Sequence, residues 1–269
     1  MSDLDLLRAL YDYRVDLALW VLCSVLVYAA AVNLRRYLRT RPETRIGRLL
    51  VSFEGWPHSL WVVEGLRFLY YLGIPYLALT RGVVSPNLMG LWDPGWLQQA
   101  WFGQLALGTA LGLAGLVLLL WGWRHFLLAS AQIDQGRADA PYPLQRRLLV
   151  APWGWGQIVL EVLYLEMHWA LYRSAALRLL DPYYGVFAGL AVVLAELCLN
   201  PEVRRDLGMP RRKGETLTTM ATAFVVSIIY YFTANLWLCL AVHLIIQLGL
   251  LSFLELSPQS LDHKRQQDQ

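Results

Sequence analysis

Residues 157–180 read QIVLEVLYLEMHWALYRSAALRLL, and the reading of this stretch decides the fold. It is long and apolar enough to lie in a membrane, yet it holds Glu161, Glu166, His168 and Arg173. An ionisable group at a bilayer centre costs roughly 2.5 kcal/mol or more unless it is paired or hydrated. A helix advances about 100° per residue, so Glu161 and His168 share one face while Glu166 and Arg173 share nearly the opposite one. The second pair predicts an internal ion pair and the first a site.

The remainder of the chain fits a membrane setting. Of 269 residues, 57% are hydrophobic and 16% charged, mean hydropathy is +0.41, and there are 12 Trp. Soluble domains carry nearer about 25% charged residues. The expected fold is an all-α polytopic transmembrane helix bundle of about seven spans, near residues 17–34, 60–79, 102–123, 157–180, 184–199, 218–232 and 236–256. An N-terminal membrane region, 1–150, would hold three spans and a C-terminal region, 151–269, four spans and a polar tail. The basic residues fall in short blocks between apolar runs, which excludes nucleic acid as a partner and leaves membrane lipids. Cys23, Cys198 and Cys239 lie in apolar runs without CxxC or CxxH spacing, so they read as small core hydrophobes.

Outward from the fourth span, the pattern is one of helices and breakers. The N-terminal segment has neither a basic n-region nor a cleavage site, so no removable signal peptide is expected. RRYLRTRPETRIGR, 35–48, reads as a solvated arm with six arginines. In the second span Glu64 and Arg67 stand three apart for an ion pair, and Pro75 predicts a kink. His58 lies near the interface with Trp56 and Trp61, and residues 85–101 read as an interfacial loop or short helix. Gly108, Gly112 and Gly115 form a small-residue packing seam in the third span. The long interruption that follows contains Pro141, Pro143 and Pro152 and predicts a loop with an amphipathic turn at 144–150. Thr233, Ala234 and Asn235 leave room only for a tight antiparallel hairpin between the last two spans, with Asn235 as a turn or cap residue.

Charge then orients the bundle. Regions after the first, third, fifth and seventh spans hold seventeen Arg and Lys, against five in the intervening regions. By the positive-inside rule the N-terminus is outside and the C-terminus cytoplasmic, in a multi-pass protein of the plasma (inner) membrane.

The C-terminal spans carry a resemblance. AFVVSIIYYFTANLWLCLAVHLIIQ, from Ala223, resembles the last block of the CAAX protease and bacteriocin-processing (CPBP) family of intramembrane proteases, an apolar helix, a tight turn before Leu-Trp, and HxxxN. The match falls on Asn235-Leu236-Trp237 and His243, with Gln247 in place of the family Asn. HWALYRSAALRLL, 168–180, is similar to the block that opens with EExxxR; Arg173 fits, while His168 and Trp169 stand where the two glutamates belong. The middle motif, FxxxH, best overlaps Val192 and Glu196.

The resemblance implies a CPBP-like core in the C-terminal half and an intramembrane endopeptidase that cleaves a membrane-associated peptide or protein by water attack. His168, Glu196, His243 and Gln247 would be its catalytic groups, with Glu161, Glu166, Arg173 and Asn235 in support. His168 could act in the missing glutamate's place, since an imidazole takes a proton near neutral pH. A divalent metal such as zinc would find ligands in His168, Glu196 and His243. The missing glutamate pair favours the alternative, a catalytically inactive homologue acting as a membrane binding or scaffold protein. Depths counted from a common cytoplasmic plane let His168 meet His243 but leave Glu196 roughly 10 Å lower, nearer Glu161. Arg173, near the outer interface, is expected to snorkel.

Overall fold

The computed structural model describes residues 13–91, 100–134, 154–209 and 213–255. Regular structure among them is wholly helical: α1 (Tyr13–Arg39), α2 (Arg45–Glu54), α3 (Ser59–Phe68), a π-helical turn (Leu69–Gly73), α4 (Ile74–Thr80), α5 (Pro86–Met89), α6 (Ala100–Asp134), α7 (Gly154–Leu177), α8 (Pro182–Leu199), α9 (Pro201–Leu207), α10 (Lys213–Thr233) and α11 (Leu236–Glu255). Five helical segments are long and apolar enough to cross a membrane: Arg14–Arg39, Ser59–Thr80, Trp101–Ala129, Pro182–Leu199 and Lys213–Thr233. The protein is a multi-pass membrane protein. Helix α7 has 24 residues but carries three charges within its apolar stretch, and Leu236–Ser252 is a shorter apolar helix. The 144–150 turn, the boundary at 150 and the polar tail lie outside the described residues.

The chain forms two compact units, one drawn from Met1–Met89 and Tyr164–Arg204, the other from Gly90–Leu163 and Arg205–Gln269. In the first unit, glycine sets the contact between α7 and α8. A Cβ on Gly185 would stand 2.9 Å from Leu177 Cα, and one on Gly189 would stand 2.7 Å from Arg173 Cα. Small residues four apart let the two backbones touch, which substitutes van der Waals contact for the hydrophobic drive that lipid removes. The hairpin is capped at Asp181, whose carboxylate accepts from the backbone N–H groups of Tyr183 and Tyr184 ahead of Pro182. At its other end α1 takes up the last carbonyl of α8 and the first of α9: Asn33 donates to Leu199 at 3.1 Å and Arg36 to Pro201 at 2.7 Å.

The arm after α1 is not coil throughout. Residues 45–54 form α2, whose first turn is capped by Thr44 accepting from Gly47 N at 3.0 Å. The six arginines obscured a helical period of apolar residues, Ile46, Leu49, Leu50 and Phe53. Glu64 and Arg67 pair at 3.4 Å, and the Arg67 guanidinium also lies over the Tyr71 and Tyr164 rings.

In the second unit α6 packs on α10 and α11 through the expected seam. A Cβ on Gly112 would come within 2.7 Å of Val242, and one on Gly115 within 2.6 Å of Val225. Helices α10 and α11 are joined by Ala234, at φ 47°, and Asn235, whose side chain accepts from Leu238 N at 3.1 Å and so caps α11. Gly90 docks on this turn: its carbonyl accepts from Leu236 N at 2.9 Å. At φ +73°, with Ala234 O 2.8 Å from where a Cβ would be, only glycine suits it. Cys239 is buried here, whereas Cys23 and Cys198 are exposed on helix surfaces rather than in the core.

Candidate functional site

The first unit gathers an imidazole, a carboxylate, hydroxyls and aromatic rings between four pieces of chain. His168 and Tyr172 come from α7, Glu196 from α8, Ser24 from α1, and Tyr70 and Tyr71 from the π-helical turn. His168 and Glu196 are 1% and 5% exposed, and His168 Nε2 lies 3.2 Å from Glu196 Oε2. The expected depth gap is closed because the helix ends are not level. Counting from the contacts Gly185–Leu177 and Gly189–Arg173 puts Leu199, the end of α8, opposite Leu163 rather than the start of α7 at Gly154. Glu196 is therefore level with Glu166, about 3 Å along the axis from His168.

The π-helical turn supplies the next partners. Pro75 has no N–H for the carbonyl four residues back, and its ring crowds that carbonyl. The backbone widens instead: Ile74 N donates to Leu69 O, five residues back. Two consecutive tyrosines thereby reach one imidazole, with ring centroids 4.7 Å (Tyr70) and 5.2 Å (Tyr71) from that of His168. Tyr172 packs on it at 4.7 Å, edge to face.

A chain of hydrogen bonds runs through the site. The Tyr172 hydroxyl donates to Ser24 Oγ at 3.1 Å, Ser24 Oγ lies 3.4 Å from the Tyr70 hydroxyl, and the single Tyr70 proton has two oxygen acceptors in reach, Glu196 Oε1 at 3.0 Å and the Ser24 carbonyl at 3.1 Å. The Tyr70 oxygen also stands 3.1 Å from His168 Nε2. His168 Nδ1 is buried with no hydrogen-bond partner among the described residues. If Nδ1 carried the proton, a buried donor would be stranded, which costs about 1–3 kcal/mol. The assignment that strands no imidazole donor puts the proton on Nε2, facing the Glu196 carboxyl group, and leaves Nδ1 as the acceptor.

The other expected residues fall into two groups. Glu166 and Arg173 pair at 3.3 Å with side chains 0% and 1% exposed, so Arg173 does not snorkel to the surface. His243 and Gln247 lie one turn apart on α11 in the second unit; both are buried, and Gln247 Oε1 has no hydrogen-bond partner among the described residues. Glu161 belongs to the part of α7 counted with the second unit and is half-buried, and Asn235 is the α11 cap. Among the described residues no three His, Cys, Asp or Glu side chains are grouped to hold a metal ion. Two of the three ligands considered for zinc, His168 and Glu196, do meet, but two protein ligands fall short of the three that catalytic zinc sites use, so no step is routed through a metal.

No protein-family model, curated protein or solved structure matches this chain. Functional argument therefore starts from the site itself. Tyr70, Tyr71, Tyr172 and Ser24 were not singled out from sequence; the only available signal was Pro75, one turn after the tyrosine pair.

Proposed function

We propose that the chain is an intramembrane endopeptidase resembling the CPBP family, acting on a membrane-associated peptide or protein. The observation that carries the reading is a buried imidazole with one nitrogen held by a carboxylate and a phenol and the other without a hydrogen-bond partner among the described residues. Groups of this kind are expensive inside a membrane, and their retention there points to function. Glu196 holds the Nε2–H tautomer and stabilises the imidazolium that forms when His168 works, the role a carboxylate plays behind a general-base histidine. His168 Nδ1 takes a proton from water as the water oxygen bonds to the scissile carbonyl carbon. The same proton then passes to the leaving nitrogen as the C–N bond breaks.

The proposal extends to seven spans, with α7 and α11 crossing alongside the five apolar helices, a CPBP-like core in the C-terminal half, and a plasma-membrane location with the N-terminus outside. The test is cleavage of transmembrane peptides by the reconstituted full chain. His168→Ala should lower turnover about 10²- to 10⁴-fold, and Glu196→Gln should lower it while raising the 15N-observed fraction of the Nδ1–H tautomer. Cleavage that survives His168→Ala overturns the mechanism. The inactive scaffold reading is favoured by the near-complete burial of His168 behind three tyrosine rings. Under it, His168→Leu keeps or raises thermal stability and no wild-type cleavage is found.

A further inference from the structure

The segment between the first two apolar helices is built for the membrane surface. Helix α1 ends at Arg39 and α3 begins at Ser59, so α2 is tethered at both ends to segments able to cross the membrane. At about 100° per residue, Ile46, Leu49, Leu50 and Phe53 fall within one arc of about 100°, while Arg45 and Arg48 lie to the other side. Half of that arc is uncovered: Ile46 is 61% exposed and Leu49 68%, while Leu50 and Phe53 are half-buried. A soluble arm would gain nothing from such a face, whereas a helix lying in the headgroup region buries it.

Charge on the polar side specifies the lipid. Residues 35–54 hold six arginines against Glu43 and Glu54. Arg35 and Arg39 are both bound to Glu54, and the Arg36 guanidinium donates to the Pro201 carbonyl. Arg45 and Arg48 are exposed and enter no ion pair among the described residues, and Arg41 lies over the Tyr37 ring at 4.9 Å with its remaining donors free to turn outward. Three guanidiniums at the end of one span, beside an exposed apolar arc, match the phosphates of a negatively charged leaflet.

We infer that α2 is an interfacial anchor that seats its apolar face in the bilayer and binds anionic phospholipid headgroups through Arg41, Arg45 and Arg48. This surface is independent of any hydrolysis at His168. The full chain, with its three cysteines replaced and a nitroxide on Leu49→Cys, is reconstituted in vesicles of phosphatidylcholine with phosphatidylglycerol. The label should be relaxed by membrane-dissolved oxygen more than by an aqueous nickel chelate. In native mass spectrometry the wild type should retain phosphatidylglycerol over phosphatidylcholine. Arg45→Gln with Arg48→Gln should weaken that preference on the order of tenfold or more, and Arg81→Gln, far along the chain, should leave it unchanged. A label exposed to the nickel chelate overturns the inference. So does one shielded from both reagents, as a second copy of the chain seated on this face would shield it, and so does an undiminished lipid preference in the double variant.

Discussion

The contact between α7 and α8 offers the sharpest perturbation. In Gly189→Ala the new Cβ would meet Arg173 Cα at 2.7 Å, Arg173 N at 2.9 Å and Arg173 Cγ at 3.0 Å. Two of these are backbone atoms that cannot rotate away. Ordinary carbon contacts lie at about 3.5–4.0 Å, so the helices must separate by about 1 Å. Overpacking of this kind costs about 1–3 kcal/mol, offset by about 0.5–1 kcal/mol of helix propensity gained on leaving glycine. The same movement would stretch the His168–Glu196 contact, now 3.2 Å, beyond hydrogen-bond reach, adding about 1–3 kcal/mol for buried groups left without partners. Gly65→Ala is the control, since a Cβ there meets nothing within 4 Å. Thermal unfolding in detergent should show Gly189→Ala lower by roughly 5–10 °C, at about 2–4 °C per kcal/mol for chains near this size. Gly65→Ala should be unchanged or slightly raised. If both variants melt alike, the close approach does not set the register that joins Glu196 to His168.

The remaining predictions concern other parts of the chain. Gly112→Val should destabilise the second unit by more than 1 kcal/mol or so, because its side chain would be driven into Val242, and Gly122→Ala, with nothing within 4 Å, should not. Hydrogen bonds and charge from Arg39, then Arg35, hold the Glu54 carboxyl below its ordinary value. Its folded pKa is depressed, so its small, solvent-screened contribution to holding α2 on α1 is fully present above about pH 4.3 and is lost as pH falls through the folded value. An NMR titration of Glu54 with a midpoint at or above the ordinary value would contradict the pairing. Reporter fusions after Arg48 and Lys213 should give cytoplasmic signals and one near Pro94 an outer-face signal; an outer signal at Arg48 reverses the proposed orientation.

Much of the helical layout was legible because lipid-embedded helices must be long and continuously apolar, and the boundaries near Leu199 and Thr233 coincide with Pro or turn residues, whereas α1 runs on to Arg39, past the end at 34 expected from hydropathy. The Glu166–Arg173 contact was legible because two residues seven apart share one helix face and the long Arg173 side chain spans the about 10 Å between them. Helix α2 was missed although its signal was present, since Thr44 and the period of Ile46, Leu49 and Phe53 were outweighed by the arginines around them. Gly185 and Gly189 were likewise readable as a close-contact motif and would have corrected the depth of Glu196, because a helix pair is levelled by where its backbones touch and not by where its helices end.

The tyrosines lay beyond sequence reading for a different reason. On a regular helix Tyr70 and Tyr71 point about 100° apart, and no periodicity argument sends both to one imidazole. Their convergence needs the extra residue of the π-helical turn, and that turn follows from Pro75 only once a neighbouring helix rewards it with contacts. His168 supplies them: the Tyr70 hydroxyl stands 3.1 Å from its Nε2 and 3.0 Å from Glu196 Oε1, so one phenol ties both groups to the turn. The turn and the dyad therefore stand together. Tyr70→Phe should remove the Tyr70 donor and loosen the π-helical turn as well, with a loss larger than the about 1 kcal/mol of an isolated hydrogen bond. A loss no greater than that, with 15N signals of His168 unmoved, would show that Glu196 alone holds the imidazole and that the widened turn is only the backbone's accommodation of proline.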